Sequence, residues 1–293
     1  MRLAINTTLF GRDVSPQESI FEAMDLSRKA GFTAMDLNLA TQAMEGWPLA
    51  LDGWEKWVDR VAEHAAKLGV TFRQSHSFYY RTKQSTDMTI DRPWFEERIR
   101  RSIRAAQMLG VKWTVVHPCD FDADEVYDLD KNRRFNREYW KPLIDYALSH
   151  EVGFCFENMF QSGKKQRYCS DVGELIDLVD SFDDPRVGIC WDTGHASLAG
   201  QKQGESILRV GKRLQCMHIH DNHGLPKQDE HLMPYYGAIN WDEVIAAVRQ
   251  VGYNNDFAFE LKHATQPLPP ALREEMLAFL YHLGVQMLGD LIG

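Results

Sequence analysis

The stretch Glu151-Val-Gly-Phe-Cys-Phe-Glu157 leaves a predicted helix, turns at a glycine, runs through three apolar residues and stops on a carboxylate. The same apolar run ending in a metal-binding type of residue recurs in Ile189-Cys-Trp-Asp192, Cys216-Met-His218 and Phe257-Ala-Phe-Glu260. The glycine joint recurs in Lys29-Ala-Gly-Phe-Thr33, Lys67-Leu-Gly-Val-Thr71, Met108-Leu-Gly-Val-Lys112 and Gln250-Val-Gly-Tyr-Asn254. Glycine tolerates the left-handed conformation that ends a helix. Joints about 40 residues apart match the period of βα units in an eight-fold barrel. Glu157, Asp192, His218 and Glu260, each at the C-terminal tip of a different strand, predict a divalent-metal site at the mouth of a parallel barrel, the face where such barrels do their chemistry.

Working outward, strands are predicted near 3–6, 33–37, 71–76, 113–117, 153–158, 187–192, 214–220 and 256–261. Helices are predicted over 52–68, 93–109, 137–149, 170–180, 203–212, 241–250 and 270–288. Ser15-Pro16-Gln17-Glu18 reads as a capping box with proline at the first helical position, opening one more helix that runs to about Lys29. Asn240 with Glu243 reads as another N-cap pair. Strands alternating with helices favour a single (β/α)8 TIM barrel over a doubly wound sheet. With no composition shift or linker, residues 1–293 are expected to form one domain. The helix-to-strand joints are tight, whereas the connections 38–51, 77–92, 118–136, 159–169 and 221–240 are long. They all fall on the face that bears the four metal-type residues, so that face is expected to be the active one.

Composition narrows the class. In 293 residues, 44% are hydrophobic and 26% charged, values of a soluble globular chain. The N-terminus lacks a long apolar run and no segment approaches membrane-spanning length. Five cysteines, three of them in predicted strands, fit a reducing, cytoplasmic setting better than a disulfide framework. A net charge of −9 argues against nucleic acid as a partner. Arg81 with Lys83, Arg133 with Arg134, and Lys164, Lys165 and Arg167 are small basic clusters in predicted loops, read first as solvated charge and second as phosphate or carboxylate contacts.

Side chains two apart on a strand share a face. Cys155, Cys190, Cys216 and Ala258 therefore lie beneath Glu157, Asp192, His218 and Glu260, while Phe156, Trp191, Met217 and Phe259 face the helices. A thiolate zinc site from the three cysteines competes with the carboxylate site, but buried cysteine commonly acts as a small hydrophobe and no CxxC pair is present. Of the 11 histidines, His76, His117, His195, His218, His220, His223, His231 and His263 fall at strand ends or in the loops that follow. His223 and His263 are read as structural or peripheral.

His117-Pro118, Glu157-Asn158, Asp192-Thr-Gly-His195, His218-Ile-His-Asp-Asn222, Asp229-Glu-His231 and Glu260, in that order, resemble the xylose isomerase-like barrel superfamily. That superfamily includes sugar-phosphate isomerases and epimerases, ketose 3-epimerases and endonuclease IV. The resemblance implies that Glu157, Asp192, His218 and Glu260 hold one divalent cation, with Glu157 and Glu260 acting as acid and base across the substrate. It implies substrate or second-metal contact for His195. His218 is preferred to His220 as ligand because Asp221 follows it by three residues, with both histidines on one strand face. Two departures bear on the choice of activity. Ketose 3-epimerases place an arginine shortly after the strand-seven histidine, and Asp221-Asn-His-Gly-Leu-Pro226 has none. Conversely, His76, His117, Glu157, Asp192, His195, His218, Asp229, His231 and Glu260 match the residue types of the three-zinc cluster of endonuclease IV.

The resemblance thus implies an isomerase or epimerase of a sugar, sugar phosphate or polyol with one Mn²⁺, Mg²⁺, Co²⁺ or Zn²⁺. Glu157 and Glu260 would move a proton through an enediolate, with pKa values expected nearer neutrality than the ~4.3 of free glutamate. A hydride shift uses the same ligands. The alternatives are a lyase or dehydratase on a sugar acid or keto-glycoside, a phosphodiesterase with additional Zn²⁺ ions, and a non-catalytic binder. Trp47, Phe78, Tyr79, Tyr80 and Tyr235 are candidates for a sugar-stacking wall or for loop packing. A homodimer or tetramer using the long loops would be ordinary for the superfamily.

Overall fold

Each apolar run that follows a glycine joint becomes an inner strand, because both of its faces are buried, by the interior side chains and by the helices. The structure, a computed structural model, describes residues 1–9, 15, 17–79, 92–120, 127–161, 166–262 and 264–292. The first half runs β1 (Arg2–Asn6), α1 (Ser19–Lys29), β2 (Ala34–Asn38), α2 (Leu39–Gln42), α3 (Trp54–Leu68), β3 (Thr71–His76), α4 (Arg92–Met108), β4 (Trp113–Val116) and α5 (Leu129–Ser149). The second half runs β5 (Gly153–Glu157), α6 (Val172–Asp180), β6 (Val187–Asp192), α7 (Thr193–Leu198), α8 (Gln203–Val210), β7 (Leu214–Ile219), α9 (Trp241–Gln250), β8 (Asp256–Phe259) and α10 (Pro270–Leu288).

The strands close into a parallel barrel in sequence order, β1 pairing β8 through Leu3 with Phe257 and Ala4 with Ala258. This is the expected (β/α)8 TIM barrel. Register brings the strand tips level: Glu157 lies beside Cys190 across β5 and β6, and Asp192 beside His218 across β6 and β7. Inside the barrel, Val115, Cys155, Cys190 and Cys216 pack as one cluster with Trp113 against it, and Ala4, Ala34 and Ala258 as another. Phe156, Trp191, Met217 and Phe259 belong instead to the large core under the helices. There Phe156 meets Trp140 edge-on at 5.9 Å. Burying a side chain of that size is worth roughly 1.5–3 kcal/mol. No described helix is long and apolar enough to cross a membrane.

Several expectations need correction. The first helix begins at Ser19, because the Ser15 carbonyl accepts from the amides of Glu18 and Ser19 in a preceding turn and no side chain caps the helix. Helix α5 begins at Leu129 rather than 137, where Asp128 caps the Lys131 amide. The polar run Lys131-Asn-Arg-Arg134 hid that first turn, so Arg133 and Arg134 lie on a helix and not in a loop. Two short helices were not foreseen. Each is started by the last residue of its strand: Asn38 accepts from the Thr41 amide at 2.8 Å, and Asp192 from the His195 amide at 2.6 Å. Pro16, Tyr80, Arg81, Lys83, Lys164, Lys165 and His263 lie outside the described residues.

Where α10 crosses the closing strands, a Cβ on Gly284 would stand 2.6 Å from Leu3 Cδ2 and 3.0 Å from the Phe259 ring. Overpacking costs about 1–3 kcal/mol, against roughly 1 kcal/mol gained in helix propensity. Gly284→Ala is therefore expected to lower the urea midpoint with the far-ultraviolet circular dichroism of the folded state unchanged.

Candidate metal centre

Glu157 and Asp192 end β5 and β6, His218 lies in β7, and Glu260 directly follows β8. One ligand atom from each lies within 4.8 Å of all the others, and all four residues are buried. His218 Nδ1 faces Glu157 Oε1 at 3.1 Å and Glu260 Oε2 at 3.7 Å. Its Nε2 faces Asp36 Oδ2 at 3.3 Å, and that oxygen accepts from Asn6 Nδ2 at 3.1 Å. Asn158 braces the backbone of Asp192, accepting from its amide at 2.7 Å and donating to its carbonyl at 2.9 Å. Sequence reasoning missed the role of Asp36, although a carboxylate inside the apolar run Met35-Asp-Leu37 was the available signal.

Two further donor groups share the glutamates. His76, His117 and Glu157 form one. His76 Nδ1 donates to the Ser77 carbonyl at 3.0 Å, which leaves Nε2 as the lone-pair nitrogen. That Nε2 lies 3.2 Å from His117 Nε2, and the two stand 3.3 and 3.0 Å from Glu157 Oε2. Buried Glu157 Oε2 nonetheless receives no hydrogen bond of good geometry. His220, His231 and Glu260 form the other group. His231 Nδ1 donates to the Glu260 carbonyl at 2.8 Å, and its Nε2 lies 3.0 Å from Asp229 Oδ2. His195 Nε2 stands 3.7 Å from the same Asp229 oxygen, and its Nδ1 lies 2.9 Å from the Asn158 carbonyl. All nine residues singled out from the sequence therefore meet at the mouth. His218 joins the group of four, while His220 faces Asp192 at 3.0 Å.

Electrostatics fits this crowding. Burial alone would raise the Glu157 carboxyl, yet the His218 and His117 imidazoles hold it well below the usual carboxylate range. Glu260 is likewise lowered against its burial, by Lys262, His218 and His231. The expectation of near-neutral glutamates is thus not met, because neighbouring imidazoles and an ammonium outweigh desolvation. Burial pushes His117 down to about 4, so it is a neutral imidazole near pH 7. His195 goes the other way: burial lowers it, but Asp192, Asp229 and Glu157 outweigh that and raise it to about 9. Converging carboxylates, lone-pair nitrogens and an orphaned Glu157 oxygen fit a divalent cation. The mixed N/O set suits Mn²⁺, Co²⁺ or Zn²⁺ better than Mg²⁺, which prefers oxygen throughout. Among the described residues no cysteine belongs to a donor group, and all five cysteines are buried and outside any disulfide.

A cavity of about 190 Å³ opens over the centre, walled by Asn38, Thr41, Met44, Phe78, Tyr79 and Lys262. Trp47 and Tyr235 are not in its lining, and Tyr79 lies tilted against His117 with ring centroids 4.2 Å apart. Lys262 was overlooked although it follows Glu260 by two residues. Of the basic clusters, Arg167 is tied to buried Asp120 at 2.9 Å.

The family model for the xylose isomerase-like TIM barrel matches residues 24–282. The chain belongs to that family. Protein y4fM of Sinorhizobium fredii (strain NBRC 101917 / NGR234) is 35% identical over 167 residues, 56% of this chain and 51% of that protein. The chain spans between about half and three-fifths of the length of the first curated relatives it matches. A crystal structure of a D-tagatose 3-epimerase-like protein superposes with a TM-score of 0.73 at 20% identity, covering 98% of both chains. The IOLI protein, crystallised with a bound zinc atom, superposes at 0.72 and 18% identity over the full length of both. At those identities the two structures establish a shared fold.

Two measurable outcomes are expected of the candidate centre in this xylose isomerase-like barrel. Adding Mn²⁺ at 100 times its Kd to chelator-treated protein should stabilise it by about 2.7 kcal/mol, seen as a rise in Tm. Asp36→Ala, which frees the His218 ring, should weaken Mn²⁺ binding about 10–100-fold by calorimetric titration.

Proposed function

We propose that this chain is a divalent-metal-dependent isomerase or epimerase acting on a sugar or related polyol. The observation that supports it best is the pair of buried carboxylates, Glu157 and Glu260, set on either side of His218 in one group of four. A bound divalent ion would polarise a substrate carbonyl and its neighbouring hydroxyl. Both glutamates start ionised. Glu260 then takes the C–H proton, and Glu157 takes the hydroxyl proton and returns it to carbon from the opposite face. The intermediate between these transfers is an enediolate. Glu260 gives its proton to oxygen, which resets both carboxylates. Neutral His117 is suited to hydrogen-bond a substrate oxygen, with Tyr79 and Phe78 as an apolar wall beside it. The likeness to a D-tagatose 3-epimerase-like protein and to the zinc-bearing IOLI protein supports the same reading. Buried cysteines outside any disulfide accord with a reducing cytoplasmic compartment.

The sharing of Glu157 and Glu260 between donor groups favours one second reading, a phosphodiesterase with three Zn²⁺. A net charge of −9 opposes it, since holding a nucleic acid requires neutralising its phosphates.

Glu260→Gln is expected to cut kcat for ketose turnover by about 10²–10⁴-fold with the fold intact. Turnover of ketoses in deuterated water should place deuterium on the epimerised carbon. Product without label would remove proton transfer in favour of a hydride shift, and undiminished turnover by the variant would remove Glu260 as the base.

A further inference from the structure

One ammonium in the mouth has no part in the proton transfers above. Lys262 Nζ lies 2.8 Å from His231 Nε2 and 3.9 Å from Glu260 Oε1. Because His231 Nδ1 donates to the Glu260 carbonyl, Nε2 carries the lone pair, and Lys262 is the donor in that contact. The same Nε2 is the nitrogen that His231 has left to offer a metal in the group with His220 and Glu260. Asp229 Oδ2 stands 3.0 Å from it, so two acceptors face each other and need a positive charge between or beside them. The ammonium supplies that charge, and an ion on the same lone pair would have to displace it.

Lys262 also faces the ligand space. It lines the cavity together with Glu157, Glu260, His76, His117 and Tyr79, and is the one Lys or Arg among the described lining residues. Its side chain is 41% exposed. Of three N–H donors, one is used on His231, which leaves donors for a ligand.

We propose that Lys262 stands in for a second divalent ion at the His231 corner and hydrogen-bonds the substrate oxygen that becomes negative when Glu260 removes the neighbouring proton. The C–H electron pair becomes the C–C double bond, and the carbonyl π pair moves onto that oxygen. Lys262 keeps its proton, and return of a proton to carbon reverses the flow with no oxidant or reductant. The oxygen contact rests on the isomerase reading, whereas the replacement of an ion does not.

Ion counts separate the two. Chelator-stripped protein is loaded with excess Zn²⁺, desalted and analysed by plasma mass spectrometry. Lys262→Ala is expected to hold one more ion per chain than the unaltered protein, and the double variant Lys262→Ala/His231→Ala to lose it again. If Lys262→Ala gains none, or if His231→Ala alone lowers the count, the ammonium does not replace an ion. For the oxygen contact, Lys262→Ala should lose at least about 100-fold in kcat on a ketose, partly restored by added ethylammonium and not by tetramethylammonium, which has no N–H. Undiminished kcat, or restoration by both amines alike, would overturn that half. If the unaltered protein turns over no ketose, the isomerase reading fails while the ion counts still decide the first half.

Discussion

The whole mouth of this barrel is organised around the repulsion among three buried carboxylates, Glu157, Asp192 and Glu260, gathered within 4.8 Å of one another's donor atoms. Two like charges 4 Å apart repel by about 4 kcal/mol at an effective dielectric near 20. No hydrophobic contact offsets that locally, so opposite charge must be built in. His218, between the glutamates, and the Lys262 ammonium, beside Glu260, supply it, while the neutral His117 and His231 rings add dipoles rather than charge. A divalent ion bound here would complete the balance. Closure of β1 onto β8 makes this crowding unavoidable, because it brings the tip of the last strand level with β7 and across from β5.

Why the barrel could be read from the chain follows from the same closure. Strands buried on both faces are continuous apolar runs, so Phe154-Cys-Phe156 or Phe257-Ala-Phe259 stands out, and the polar residue ending each run marks the solvent end. Strand ends were legible to within two residues because the apolar run gives way there to a polar residue. Cys155, Cys190 and Cys216 were assigned inward by alternation alone, and they do form the layer under the mouth.

What escaped notice depends on partners far away in the chain. The first turns of α5 are polar, held by the Asp128 cap and by buried Asn136, which bonds the amide and carbonyl of Cys119, rather than by an apolar stripe. Asp36 looks like an isolated carboxylate until β2 curls round to put it against His218, 182 positions later, a closeness that only the folded barrel creates. Lys262 lies past the last strand in a segment without regular structure, so alternation gave no firm direction for its side chain. The four ligand-type residues each announce themselves at a strand tip; the groups that orient them do not.

Asp192 has two occupations. One oxygen starts helix α7 by accepting the His195 amide, and the same carboxylate faces His220, while its backbone is clamped by Asn158. Local folding and the proposed ion site thus draw on a single short side chain. A longer acid at this place could still reach a cation, but it would overshoot the amide it caps and let the turn carrying His195 come loose. Swapping ligands at this corner therefore cannot be treated as a purely inorganic exercise: whoever retunes the centre for another metal must also rebuild the beginning of a helix.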